Sequence, residues 1–182
     1  MNGGLVRWHV TMSVDGFIAG PGDSMDFLSG PWTHGPAADE VVAGAGAVLV
    51  GRRSYEVGRA LGQKVYGGAW SGPILVLTHR PDEVDDPDVR CVSGAAAQVV
   101  AEARQAAAGR AVVLIGADVA RQCVRAGLVD DLLIHVVPVL LGSGVRLFAD
   151  PDVSPVRLSP LGQQDPVRLP DLRYAIRPTR LH

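Results

Sequence analysis

Cysteine is nearly missing. The chain of 182 residues has two, Cys91 and Cys123, and neither lies in a C-x-x-C pair. That argues against a disulfide scaffold or a zinc knuckle and leaves two packed thiols of a cytoplasmic protein with no metal site. Long hydrophobic runs are missing as well. No stretch approaches the roughly 18 apolar residues of a membrane span, and the start, MNGGLVRWHV, has no long apolar segment of the secretory kind. Charge of one sign is also missing: 17 basic residues against 19 acidic leave a net −2. Nucleic acid and anionic membrane find no general field to bind to, so any anion site has to be local.

What is present is a globular balance, with 47% hydrophobic and 20% charged residues, and a length that suits one domain over 1–182. Short apolar runs occupy 5–12, 47–50, 74–77, 89–92, 111–115 and 132–141. Most are continuous, as in strands buried on both faces of a parallel sheet. Helical patterns lie between them at 37–45, 98–108 and 119–126, the last with Asp118 as expected N-cap and Gly127 as expected C-cap. Strand and helix in alternation give an α/β fold with a mostly parallel sheet. The segments 156–161, 167–169 and 172–176 are short, proline-punctuated and without helices, and read as antiparallel C-terminal strands. The irregular stretch 21–36 is long enough to carry function.

In open α/β sheets ligands bind beyond the carboxyl ends of the strands. There the sequence places Gly51, Arg52, Arg53 and Ser54, then Thr78, His79 and Arg80, then Gly116, Ala117 and Asp118. Arginine binds phosphate through two parallel bonds, a helix N-terminus offers free N–H groups, and glycine lets backbone come close. Three such sets at one edge point to an extended, multiply charged ligand.

The strings SVDGFIAG (13–20), VLVGRRSYE (48–56), LVLTHRP (75–81) and VLIGADVARQ (113–122), in this order, resemble the dihydrofolate reductase fold. GLVDDLLIHVVPVLLGSGVRLF (127–148) resembles, more narrowly, the reductase domain of the bifunctional riboflavin-biosynthesis deaminase-reductase and its stand-alone relatives. The resemblance implies a three-layer α/β/α domain that uses NADPH on a small-molecule substrate. It puts Gly51, Arg52, Arg53 and Ser54 against the cofactor phosphates and Thr78, His79 and Arg80 at the adenosine 2′-phosphate. Thr11, Ile18 and Ala19 would face the nicotinamide carboxamide, and Gly116, Ala117, Asp118 and Val119 would lie under the pyrophosphate. The substrate would meet Leu141, Gly142, Ser143 and Gly144, with Trp32, beside His34, able to close over a flat heterocycle.

Two departures stand out. The family has a Gly-Gly pair where this chain has Ile115 and Gly116, and a β-branched residue tolerates positive φ badly, so the loop is expected to be altered. The carboxylate that folate reductases carry on their first helix has Asp39 and Glu40 as candidates here, with Asp15 as the other acid near the site. Asp15 precedes a glycine and also reads as a turn residue, and His135 reads as a satisfied core histidine. The H-x-E and P-C-x-x-C signature of the zinc deaminase half is absent. The expected activity is reduction of 5-amino-6-(5-phosphoribosylamino)uracil or a similar molecule by a homodimer. Dihydrofolate reduction and non-catalytic nucleotide binding are the alternatives.

Overall fold

The structure is a computed structural model and describes residues 4–30, 35–149, 158–160 and 171–176. Trp32, His34, Pro155, Pro166, Pro170 and the expected strand at 167–169 lie outside the described residues. The chain runs β1 (Val6–Ser13), β2 (Phe17–Ala19), α1 (Pro36–Gly44), β3 (Ala45–Gly51), α2 (Arg52–Ala60), β4 (Ile74–Leu77) and β5 (Val89–Val92). It continues through α3 (Ala96–Ala106), β6 (Ala111–Ile115), α4 (Ala117–Arg125), β7 (Asp131–Val137), β8 (Val145–Arg146), β9 (Leu158–Pro160) and β10 (Asp171–Ile176).

Eight strands form one sheet in the order β5-β4-β3-β6-β1-β7-β10-β9. The first six are parallel, and β10 runs antiparallel to both β7 and β9, as the proline-punctuated C-terminal segment suggests. Helices α3 and α4 cover one face with Val99, Val100, Ala103, Val119, Ala120 and Cys123. Val41 of α1 and Tyr55 of α2 pack on the other. Each buried Val or Leu stabilises the layers by about 1.5–3 kcal/mol. Cys91 and Cys123 are free, and burial pushes the Cys123 thiol up to about 11, which makes it an inert packing group. No helix among the described residues is long and apolar enough to cross a membrane.

Two local expectations are corrected. Strand β7 stops at Val137, not at residue 141, because Pro138 has no N–H to continue a ladder. The N-cap of α4 is Gly116 at φ 94°, and Asp118 sits in the first turn instead. There its charge complements the helix N-terminus. A second, two-stranded sheet pairs β2 with β8 and ties the residues after β1 to those after β7.

Candidate functional site

The parallel register brings the three strand ends together. Gly51 pairs with Leu77, and Val50 with Ile115, so the residues that follow all emerge at one edge. They enclose an open cleft of about 260 Å³. Gly51, Arg52, Arg53, Ser54, Thr78, His79, Arg80, Asp118 and Val119 line it, as the sequence indicates, and Leu77 and Gln122 join them. Gln122 follows Asp118 by four residues on α4, so helical spacing could have found it.

Gly116 and Ala117 are not among the residues that line the cleft, but glycine is required at Gly116, where the start of α4 meets α2. A Cβ on Gly116 would come within 2.2 Å of the Ser54 hydroxyl, and the φ of 94° disfavours any L side chain. The strain expected at Ile115 does not arise: Ile115 ends β6 with a φ outside the positive region, which falls on Gly116 instead. Both helices that start here, α2 and α4, lack a side-chain cap. Their first N–H groups have no intrahelical partner, and Arg52, Arg53 and Ser54 of α2 and Asp118 and Val119 of α4 line the cleft.

Carboxylates answer the cations around this space. Arg52 pairs with Glu56 at 2.6 Å and Glu83 at 2.5 Å, while Arg80 reaches Glu83 at 3.1 Å. Hydrogen bonds from Arg80 and then Arg52 hold the Glu83 carboxyl below its ordinary range. Arg53 holds Asp23 at 2.7 Å, which fastens the loop after β2 to the cleft. The Arg80 side chain is 71% exposed. A pair so solvated is weak, and a phosphate can replace the carboxylate. Buried Thr78 accepts the Arg80 N–H at 3.0 Å and shapes the turn, with His79 exposed beside it.

The remaining expected residues lie along the sheet. Thr11 is half-buried in β1, and Ile18 and Ala19 belong to β2. Asp15 accepts the Ser13 hydroxyl at 2.6 Å and the N–H groups of Leu141 at 3.1 Å and Gly142 at 2.7 Å. These bonds, that of Ser13 first, hold its carboxyl down to about 2. Asp15 thus joins two loops as an anion, through a neighbouring hydroxyl and a remote loop rather than through its own backbone as the turn reading expects. Gly144 packs so closely that a Cβ there would lie 2.1 Å from the Ala19 carbonyl oxygen, and Ser143 is exposed. Asp39 is exposed in the first turn of α1 and does not line the cleft, and Glu40 pairs with Arg173 at 3.1 Å.

The RibD C-terminal domain model matches residues 5–165. The chain belongs to this family. A relative in Bacillus subtilis (strain 168), the uncharacterized protein YwjB, is 27% identical over 143 residues, covering 77% of this chain and 80% of its own. A putative riboflavin biosynthesis protein of Shewanella sp. PV-4 has a similar structure, with TM-score 0.80 and 20% identity over 96% of this chain and 99% of that one. Dihydrofolate reductase from Enterococcus faecalis, at TM-score 0.58 and 20% identity, covers 96% of this chain and 95% of its own. The fold is dihydrofolate reductase-like.

On β1, β7 and β10 this RibD-type domain carries a polar row that the sequence reading missed. Arg7 and Asp131 form a buried, two-armed salt bridge, with Nε and Nη2 each donating to a carboxylate oxygen at 2.6 Å and side chains 8% and 5% exposed. His9 meets Tyr66 at 3.0 Å through Nδ1 and His135 at 2.7 Å through Nε2. His135 meets Asp171 at 2.5 Å through Nδ1. His135 is a buried, satisfied histidine, as read, but its partner is a second histidine. The signal was available: in VRWHVTMS the polar residues Arg7, His9, Thr11 and Ser13 alternate with apolar ones, which is strand period and one face.

Proposed function

We propose that the chain is an NADPH-dependent reductase acting on a ribosylamino-pyrimidine of the 5-amino-6-(5-phosphoribosylamino)uracil kind. The observation that carries this reading is the cleft: the starts of two helices without side-chain caps and three arginines paired with partly exposed carboxylates, all at one sheet edge. This donor set fits a dinucleotide phosphate. The RibD family match and the likeness to a putative riboflavin biosynthesis protein support the substrate class.

Gly51, Arg52, Arg53 and Ser54 would hold the cofactor phosphates, with Gly116, Ala117, Asp118 and Val119 under the pyrophosphate. Thr78, His79 and Arg80 would take the 2′-phosphate. Bound NADPH supplies the hydride. The chain's own part is to orient both partners and to exclude water, with Thr11, Ile18 and Ala19 against the nicotinamide and the segment 141–144 near the substrate.

Nicotinamide fluorescence titration tests the cofactor. NADPH should bind more tightly than NADH, and Arg80→Ala should remove about 1.5–3 kcal/mol of that preference. Equal affinity for the two cofactors sinks the 2′-phosphate assignment. Turnover then separates the activities. Oxidation of NADPH by dihydrofolate alone, or binding with no turnover of either substrate, would replace this reading with one of its two rivals.

A further inference from the structure

Tyr66, His9, His135 and Asp171 form one unbroken line across four parts of the chain. Tyr66 comes from the loop between α2 and β4, His9 from β1, His135 from β7 and Asp171 from β10. The contacts are 3.0, 2.7 and 2.5 Å in that order. All four imidazole nitrogens are engaged. The His9 and Tyr66 rings also stack, with centroids 5.5 Å apart.

The line runs beside Thr11. His135 is the register partner of Thr11 on the neighbouring strand, and Asp171 is the register partner of His135. His9 lies two residues before Thr11 on the same strand and so on the same face, about 6.5 Å along it. Thr11 is the residue expected at the nicotinamide, so the two imidazoles flank that position.

Hydrogen-bond accounting allows two states. In the neutral state the Tyr66 hydroxyl donates to His9 Nδ1, His9 Nε2–H donates to His135 Nε2, and His135 Nδ1–H donates to the Asp171 carboxylate. One added proton reverses the inner bonds. His135 becomes an imidazolium facing Asp171 and donates through Nε2 to His9. His9 shifts its own proton to Nδ1 and donates to the Tyr66 oxygen. The Tyr66 hydroxyl hydrogen is then released to point at another acceptor.

We propose that His9 and His135 share one proton, balanced by Asp171, and that Tyr66 passes it to the substrate during reduction. This rests on the reductase reading above. Hydride from NADPH would form a C–H bond at the carbonyl or imine carbon, and the π electron pair would move to oxygen or nitrogen. That atom takes the Tyr66 hydroxyl proton. Tyr66 takes the proton of His9 Nδ1, and His9 Nε2 takes the proton of His135 Nε2, which restores the neutral line. NADPH ends as NADP⁺, and solvent supplies the next proton.

Two further features favour the assignment. Tyr66 adopts φ 53°, a rare conformation for a side chain other than glycine, and such strain gathers where function needs a group in place. Burial raises the phenol above its ordinary range, so a phenolate would not persist there and the proton of His9 has to follow the transfer. Among the described residues, the other charged groups on that face pair with one another: Arg7 with Asp131, and Arg173 with Glu40, with a longer 3.8 Å approach of Arg173 to Asp131. Among the described residues, Asp171 is the carboxylate bonded to the imidazoles.

Imidazole proton–nitrogen NMR on the whole chain, followed from acid to alkaline pH, reads the shared proton directly. His9 and His135 should titrate in one coupled step. Asp171→Asn should move that step down by about one pH unit or more. Single-turnover NADPH oxidation with 5-amino-6-(5-phosphoribosylamino)uracil reads the transfer. Tyr66→Phe keeps the ring stack, should bind NADPH as the parent does, and should lower the hydride-transfer rate about 100-fold. His135→Gln should flatten the pH profile of that rate. Two imidazoles that titrate independently overturn the proposal. So does a folded, NADPH-binding Tyr66→Phe protein with the parent rate and pH profile. If the parent protein binds no NADPH or turns over no substrate, the reductase reading has failed, and the shared proton then stands or falls on the imidazole titration.

Discussion

Trp8 and His9 are neighbours in β1 and point into different chemistry. Trp8 faces α3 and α4 among Val6, Leu114, Leu132 and Ile134, a layer of apolar side chains. His9 faces the opposite side, where the same strands carry Arg7, Ser13, Asp131 and His135, all buried. A strand alternates its side chains between two faces, so one sequence can build an apolar foundation and a polar floor at once. The apolar face fixes the distance between strands. The polar face uses that rigidity to hold ionisable groups at hydrogen-bond length, where looser packing would let water in.

The sharpest break of this comparison lies at its buried ion pair. Arg7→Met leaves the buried Asp131 carboxylate only the longer 3.8 Å approach of Arg173 and should cost about 3 kcal/mol. Adding Asp131→Leu should recover most of that loss, because the pair as a whole contributes little beyond an apolar filling. On the other face, Leu114→Ala leaves a cavity and should cost about 3 kcal/mol, with no second substitution nearby to restore it. Urea midpoints of the four proteins decide. A double variant no more stable than Arg7→Met would show that the polar face is not separable in this way.

A smaller effect is expected where the cleft meets the sheet. Gly116→Ala puts a methyl group against Ser54 at a positive φ, which should destabilise the fold by about 1–2 kcal/mol. The same crowding should weaken NADPH binding at least tenfold, since Ser54 and the start of α4 must separate. Thermal melting and fluorescence titration check the two halves. Unchanged affinity in the folded variant would detach this glycine from the cofactor loop.

The two regions also differ in how far the sequence revealed them. The cleft was legible because loops after strands carry their chemistry in consecutive residues: Gly51 to Ser54 and Thr78 to Arg80 can be read without knowing which strands are adjacent. Strand spans such as 74–77 and 111–115 were legible because continuous aliphatic runs have few other uses. The histidine line was not. His9 and His135 are 126 residues apart, and Asp171 lies a further 36 along. Only the parallel register of β1 with β7, and the antiparallel return of β10, makes them neighbours. Tyr66 was hidden for another reason: an irregular loop has no period from which to read a direction.

The smallest expected effect concerns Asp15, the anion that fastens the loop after β1 to residues 141 and 142. Its folded value of about 2 lies below the ordinary 3.8, chiefly through the Ser13 hydroxyl and the Gly142 N–H. A depressed carboxylate stabilises the fold fully above its unfolded value and loses that contribution as pH falls through the folded one. The window therefore runs from about pH 4 down to about pH 2, and near neutral pH nothing should change. Asp15→Asn keeps an oxygen acceptor but no charge and no titration. The urea midpoint of the parent protein should fall more steeply across that window than the midpoint of the variant. Parallel slopes would mean that other carboxylates set the acid limb and that Asp15 holds its loops no better charged than neutral. Because Ser13, Leu141 and Gly142 all donate to Asp15, a steeper parental slope should come with faster amide exchange at Leu141 and Gly142 as the acid form appears. Exchange unchanged at those two positions would place the lost stability elsewhere, on the surface pairs around Glu83 and Asp86, whose carboxyls are also held low.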